Sequence, residues 1–165
     1  MTESPATDFD PAYRDRETYF FWTGEHVRFT DLDALGHVSA VRTNEYFNSA
    51  RASLFQQTIA NWPQAEQLPV LKLSIVLNER EMHFPLDIDV GLAIEKWGNT
   101  SVTVVLAAFD GVECLALSRN VFVFIDADTR EPARPHEDIR AAITRLAGEV
   151  VVSPQEARPF RRSIN

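Results

Sequence analysis

Asp31, Asp33 and His37 fall within seven consecutive positions, immediately before a stretch of helical periodicity. Carboxylates and imidazoles are the side chains that take protons from water or attack carbonyl carbons near neutral pH. Upstream, Val27 and Phe29 alternate with Arg28 and Thr30, which predicts the end of a half-buried strand. Asp31, Asp33 and Gly36 then break the strand, because Asp and Gly favour turns. Downstream, Tyr46, Phe47, Ala50, Leu54 and Phe55 recur at helical spacing. They predict a helix from about Thr43, its N-cap, to about Asn61, since Pro63 disfavours helix in the residue before it. A helix start carries unpaired amides and partial positive charge, which suits a developing oxyanion. A carboxylate across from it can act as general base or nucleophile, and the two together are what ester or thioester hydrolysis requires. Asp31 and Asp33, two residues apart, would share one face of an extended segment, where two like charges raise one pKa. Either acid could equally be a turn residue.

The ordered set Val27-Arg28-Phe29-Thr30-Asp31-Leu32-Asp33-Ala34-Leu35-Gly36-His37-Val38, followed by Tyr46-Phe47-Asn48-Ser49-Ala50-Arg51, resembles the signature of the hot-dog-fold acyl-CoA thioesterases. More narrowly it is similar to the 4-hydroxybenzoyl-CoA thioesterase-like branch. The resemblance covers roughly residues 19–147. It also takes in Phe84-Pro85-Leu86, Glu95-Lys96-Trp97 and Phe122-Val123-Phe124-Ile125-Asp126. It implies that Asp33 is the catalytic carboxylate, with Asp31 in support and His37 orienting the acid or bonding the substrate carbonyl. The backbone N–H of Ala40 falls at the oxyanion donor position. Thr43 replaces a Tyr common in relatives. Phe47, with Leu54, Phe55 and Trp62, would shape an acyl tunnel. Ser101 stands near the thioester or pantetheine, and Lys96 alone remains of the basic cluster that some relatives use on coenzyme A phosphates. Asn48 occupies a position where many relatives carry a helix carboxylate, which makes Asp33 more necessary. The resemblance also implies active sites shared between protomers, in a homodimer or a dimer of dimers, and no bound cofactor. Acyl-CoA is the implied substrate, with an acyl carrier protein as the other candidate thiol.

The remaining sequence is consistent with this expectation. One hundred and sixty-five residues make about one domain. No apolar run reaches the ~18–20 residues that span a bilayer. Met1–Asp10 is polar and acidic, unlike a secretory signal, so the cytoplasm is the expected compartment. Sixteen basic against twenty-four acidic residues give a net charge of −8, which argues against general nucleic-acid binding. The single cysteine, Cys114, excludes an intrachain disulfide and a Cys-rich zinc site, and reads as a small core residue. His26, His83 and His136 lack metal-ligand spacing, so no metal is expected. No G-x-S-x-G elbow or Gly-rich phosphate loop is present.

Residues 1–18 read as a mobile leader, 19–148 as the domain, and 149–165 as a tail whose Arg158–Arg162 stretch is basic. Tyr19 to Trp22 begins a strand, with a bulge or bend at Thr23–Glu25. Leu71, Leu73, Ile75 and Leu77 alternate on one face of a strand, and Ile88, Val90, Leu92 and Ile94 on one face of the next. Gly98-Asn99 and Asp110-Gly111 are hairpin signals that separate two further β-rich runs, Ser101–Phe109 and Glu113–Ile125. His136 to Leu146 is a short amphipathic helix closed by Gly148. One strand, one long helix, four strands and a short helix make an α+β protein with a helix buried against an antiparallel sheet. In the hot-dog fold that resemblance implies, the curved antiparallel sheet wraps the long central helix.

Overall fold

The computed structural model describes residues 8–62 and 64–150. The basic Arg158–Arg162 stretch and the first part of the expected leader lie outside them. Strand β1 (Phe21–Val27) leads through a 3-10 turn, Phe29–Asp31, into helix α1 (Ala40–Thr58). Strands β2 (Gln67–Asn78), β3 (Leu86–Trp97), β4 (Ser101–Asp110) and β5 (Glu113–Asp126) follow, then helix α2 (Glu137–Ala147). The five strands form one sheet in the order β1-β3-β4-β5-β2, and every neighbouring pair is antiparallel. This is the hot-dog fold, with α1 lying against one face of the sheet.

The buried residues of α1 include Tyr46, Phe47, Ala50, Leu54 and Phe55, the set that helical spacing predicts, joined by Thr43 and Arg51. They meet Val90, Leu92, Ile94, Val102, Val104, Leu106, Phe122 and Phe124 from the facing side of the sheet. Each such large apolar side chain taken from water is worth about 1.5–3 kcal/mol, so this interface fixes the position of the helix. Among the described residues no helix is long and apolar enough to cross a membrane.

Four sequence expectations change here. The helix starts three residues before Thr43, because Ser39 is the cap and its Oγ accepts from the Arg42 amide. Helix α1 stops at Thr58, and Asn61 takes a positive φ of 57° that no helix continues. In β2 the pairing slips between Leu71 and Leu73, so the intervening Lys72 is a bulge. Leu71 opposes Phe122 on the helix side, while Leu73, Ile75 and Leu77 oppose Val121, Arg119 and Leu117 on the other face. The bulge or bend expected at Thr23–Glu25 is also absent, since β1 runs in unbroken register with β3.

Residues 8–18, expected to be part of a mobile leader, form two 3-10 turns on the sheet face opposite α1. Phe9, Tyr13 and Tyr19 are buried there with Ala93, Val105, Ala107, Phe109 and Leu117. The Tyr13 hydroxyl donates to Glu95 at 2.8 Å, and Arg119 pairs with the same carboxylate at 2.8 Å. Arg16 bonds Asp89 at 2.9 Å and lies 4.3 Å from the Trp22 ring centroid. Few apolar residues are needed to hold so short a segment, which is why its composition reads as unanchored.

Candidate active site

Two clamps set the path from β1 to α1. The first is Asp31, 3% exposed, whose Oδ2 accepts from the Tyr46 hydroxyl at 2.6 Å and from the Arg28 amide at 2.8 Å. Its Oδ1 lies 3.5 Å from Arg42 Nε, and its carbonyl accepts from the Ser39 amide at 3.0 Å. Burial pushes the Asp31 carboxyl up, but the Tyr46 hydroxyl, the Arg28 amide and the Arg42 and Arg28 guanidiniums together outweigh it and hold the group below its ordinary value. Tyr46, shielded from water beside this anion, is pushed well above the ordinary phenol range. The second clamp is the Val38 amide, which donates to the Met82 carbonyl at 2.9 Å and ties the turn to the chain leaving β2.

Asp33 sits on the exposed turn between the clamps. Its Oδ1 accepts from the Leu35 amide at 2.8 Å and the His37 amide at 3.3 Å. Its own amide donates to the His37 carbonyl at 2.8 Å. Among the described residues no donor meets its Oδ2. Gly36 closes the turn with φ of 81°, a conformation that a side chain would strain. The carboxylate is thus held through one oxygen and open at the other. Asp31 and Asp33 do not share a face: the 3-10 turn buries the first and leaves the second at the surface.

Asp33, His37, Val38, Thr43, Asn78, Glu79, Arg80, Glu81 and Met82 line a cleft of about 260 Å³. Helix α1 begins at its edge. Of the first amides there, Arg42 is satisfied by Ser39 Oγ and Thr43 by the Ser39 carbonyl at 3.0 Å, whereas Ala40 and Val41 have no acceptor among the described residues. Thr43 is buried inside the helix, its hydroxyl donating back to the Ser39 carbonyl at 3.3 Å. Phe47 is fully buried in the core and does not line this cleft.

His83, one of the scattered histidines of the sequence, lies beside His37 in the structure. Met82 points inward from an extended segment, so its neighbours Glu81 and His83 point outward beside His37. The Nε2 atoms of His37 and His83 lie 3.2 and 3.6 Å from Glu81 Oε2, and the two imidazoles meet edge to face with centroids 4.9 Å apart. His37 therefore reaches Asp33 through its backbone and Glu81 through its ring. The signal available in the sequence was the Glu-x-His alternation alone, since the partner lies over forty residues away.

Lys96 and Ser101 are not brought to Asp33 within this chain. They line a separate cleft of about 620 Å³ with Leu73, Ile75, Glu95, Thr103, Arg119 and Val121, on the sheet face away from α1. Asn48 is exposed on α1, and its Oδ1 accepts from Arg51 at 3.2 Å. Arg51 is buried and also donates to Asn120, whose amide donates to Ser118 at 2.8 Å.

A model of the thioesterase-like superfamily matches residues 27–143, most of the domain and the whole of this site. The chain belongs to that superfamily, and thioester hydrolysis is the chemistry that this membership supports. Among solved structures it is similar to a Pseudomonas aeruginosa protein, at 25% identity and a TM-score of 0.76, over 84% of this chain and 98% of that one. It is also similar to a Thermus thermophilus thioesterase solved with coenzyme A and zinc, at 27% identity and TM-score 0.71, over 79% and 96% of the two chains. A thioesterase-superfamily protein of Jannaschia matches at 25% identity and TM-score 0.70, over 82% and 87%. No curated protein matches the chain.

Proposed function

We propose that the protein hydrolyses an acyl-CoA thioester to a carboxylic acid and coenzyme A, with Asp33 as general base or nucleophile. The observation that carries this reading is the turn itself. It fixes one carboxylate oxygen with two amides and leaves the other free, in a cleft that His37 and, from the first turn of α1, Thr43 also line. In the general-base route, Asp33 takes a proton from water as the oxygen attacks the thioester carbon. The developing oxyanion accepts from the Ala40 amide, strengthened by the helix dipole. Collapse breaks the C–S bond, and the thiolate leaves with the proton that Asp33 holds. In the nucleophilic route Asp33 attacks the thioester carbon, and the C–S bond breaks as the coenzyme A thiolate leaves. Water then cleaves the resulting anhydride, freeing the acid and Asp33 while the released proton goes to the thiolate. His37 orients the Asp33 turn through its amide and carbonyl. No step of either route calls on a bound cofactor.

The substrate side of the site is completed by a second copy. Among the described residues strand β2 pairs with β5 alone, leaving a sheet edge on which Leu71 and Leu73 are 40% and 45% exposed. Such an edge is a template for strand pairing, and pairing there builds a homodimer, which a dimer of dimers extends. Across that junction Lys96, Ser101 and their cleft become the coenzyme A side, and the acyl chain runs beside α1. An acyl carrier protein is the other possible thiol. The cytoplasm is the compartment in this reading.

The test is thiol release from acetyl-, palmitoyl-, benzoyl-, phenylacetyl- and 4-hydroxybenzoyl-CoA, comparing wild type with Asp33→Asn. Turnover that collapses in the variant supports the reading. Equal trace release by both proteins removes it and favours a non-hydrolytic acyl-thioester binding or assembly subunit.

A further inference from the structure

We propose that His37, Glu81 and His83 form a binding site for a divalent transition-metal ion, zinc by preference, at the rim of the Asp33 cleft. Two ligand atoms each about 2.0–2.1 Å from a tetrahedral zinc lie about 3.4 Å apart. The Glu81 carboxylate oxygen is 3.2 Å from one imidazole nitrogen and 3.6 Å from the other, and all three ligand atoms lie within 4.8 Å of one another. A carboxylate between two imidazoles thus already has two of the three spacings of such a tetrahedral face. The third, between the imidazoles, is within 4.8 Å, so a small ring adjustment brings the three to one ion with the fourth position open to water. Imidazole with carboxylate suits zinc and its neighbours rather than calcium or magnesium, which take oxygen alone.

The ligands come from two segments that the fold clamps independently of any ion. The Val38 amide bonds the Met82 carbonyl at 2.9 Å, placing the residue after His37 against the residue between Glu81 and His83. On the far side, the Glu79 and Arg80 amides both donate to the Leu115 carbonyl, at 2.9 and 3.0 Å, and anchor the same segment to β5. Little ordering remains for an ion to bring about, and side-chain exposures of 30%, 66% and 60% for His37, Glu81 and His83 leave an entry path. Occupancy would tie the His37 ring to the cleft rim and place a cation beside Asp33. Its occupancy can be tested apart from thioester hydrolysis, since binding is measured with the metal alone.

The experiment is zinc titration of tag-free protein against a chromophoric chelator, with cobalt(II) as a spectroscopic probe. Wild type should bind one zinc per chain, and its cobalt form should show the intense visible ligand-field bands of a tetrahedral ion. His83→Ala and Glu81→Gln should each weaken binding at least about tenfold, because removing a ligand costs no less than the 10–100-fold seen for outer-shell partners. His26→Ala, at a remote histidine paired with Asp87, should bind as wild type does. Absence of saturable binding, or affinity unchanged in both His83→Ala and Glu81→Gln, would overturn the proposal. Neither result depends on whether the protein turns over a thioester.

Discussion

Asp31 and Asp33 look interchangeable in sequence, and their surroundings predict opposite consequences for removing them. Asp31→Ala deletes a buried carboxylate that accepts from the Tyr46 hydroxyl and the Arg28 amide. A hydrogen bond to a charged group contributes about 1.5–3 kcal/mol, and two that share one oxygen do not add fully, so the loss should be about 2–4 kcal/mol. For a chain of this size that corresponds to a fall in Tm of about 5–15 °C. Asp33→Ala removes an exposed side chain whose structural bonds are two turn amides, and should cost less than about 1 kcal/mol while abolishing thiol release. Urea and thermal unfolding followed by circular dichroism give both numbers. The pH dependence adds a sign. The folded-state value of Asp31 lies below the ordinary 3.8, so its stabilisation is complete above that value and is lost as pH falls through the folded one. The gap between wild type and Asp31→Ala should therefore be constant from pH 7 to 5 and narrow below about pH 4. An Asp31→Ala protein as stable as wild type, or an Asp33→Ala protein equally destabilised, would refute the division of labour between them.

Three further outcomes follow from particular contacts. Ser39→Ala removes the α1 cap and should lower stability by about 0.5–2 kcal/mol in urea unfolding, with a parallel fall in activity because the helix start frays. Gly91→Ala should destabilise by about 1–3 kcal/mol, since the new Cβ would lie 2.7 Å from Tyr19 Cγ and 3.0 Å from the Trp22 ring. Cys114, buried and with its thiol pushed up to about 11 chiefly by burial, should resist a thiol reagent at pH 8 in the folded protein and react at once in denaturant.

Periodicity carried most of the fold, because Phe47, Ala50 and Leu54 on the helix and Val90, Leu92 and Ile94 on β3 face one another and must be apolar. It failed where one residue breaks the count. Lys72 is an ordinary strand residue by type, yet as a bulge it sends Leu71 and Leu73 to opposite faces. Thr43 and Ser39 are both good caps by chemistry, and only the backbone path through the Asp31 clamp selects Ser39. At the site, Asp33 and His37 were legible because they lie in one ordered motif. Glu81 and His83 were not, because the Val38–Met82 hydrogen bond that delivers them joins positions distant in sequence. Ser101 and Lys96 follow from family likeness, and one chain by itself keeps them across the sheet from Asp33.

The turns at residues 8–18 bear on where this polypeptide can be trimmed. The superfamily match begins at residue 27, which makes that position an inviting start for a minimal version. Such a version would discard β1 as well as Phe9, Tyr13 and Tyr19. It would strip one side of β3 of its hydrogen-bonding neighbour and expose Phe109, Val105 and Ala107 to water. A cut that keeps the back of the sheet covered must leave Asp8 and Phe9 in place, so the working boundary of the domain is set by what covers the back of the sheet rather than by the recognisable family core.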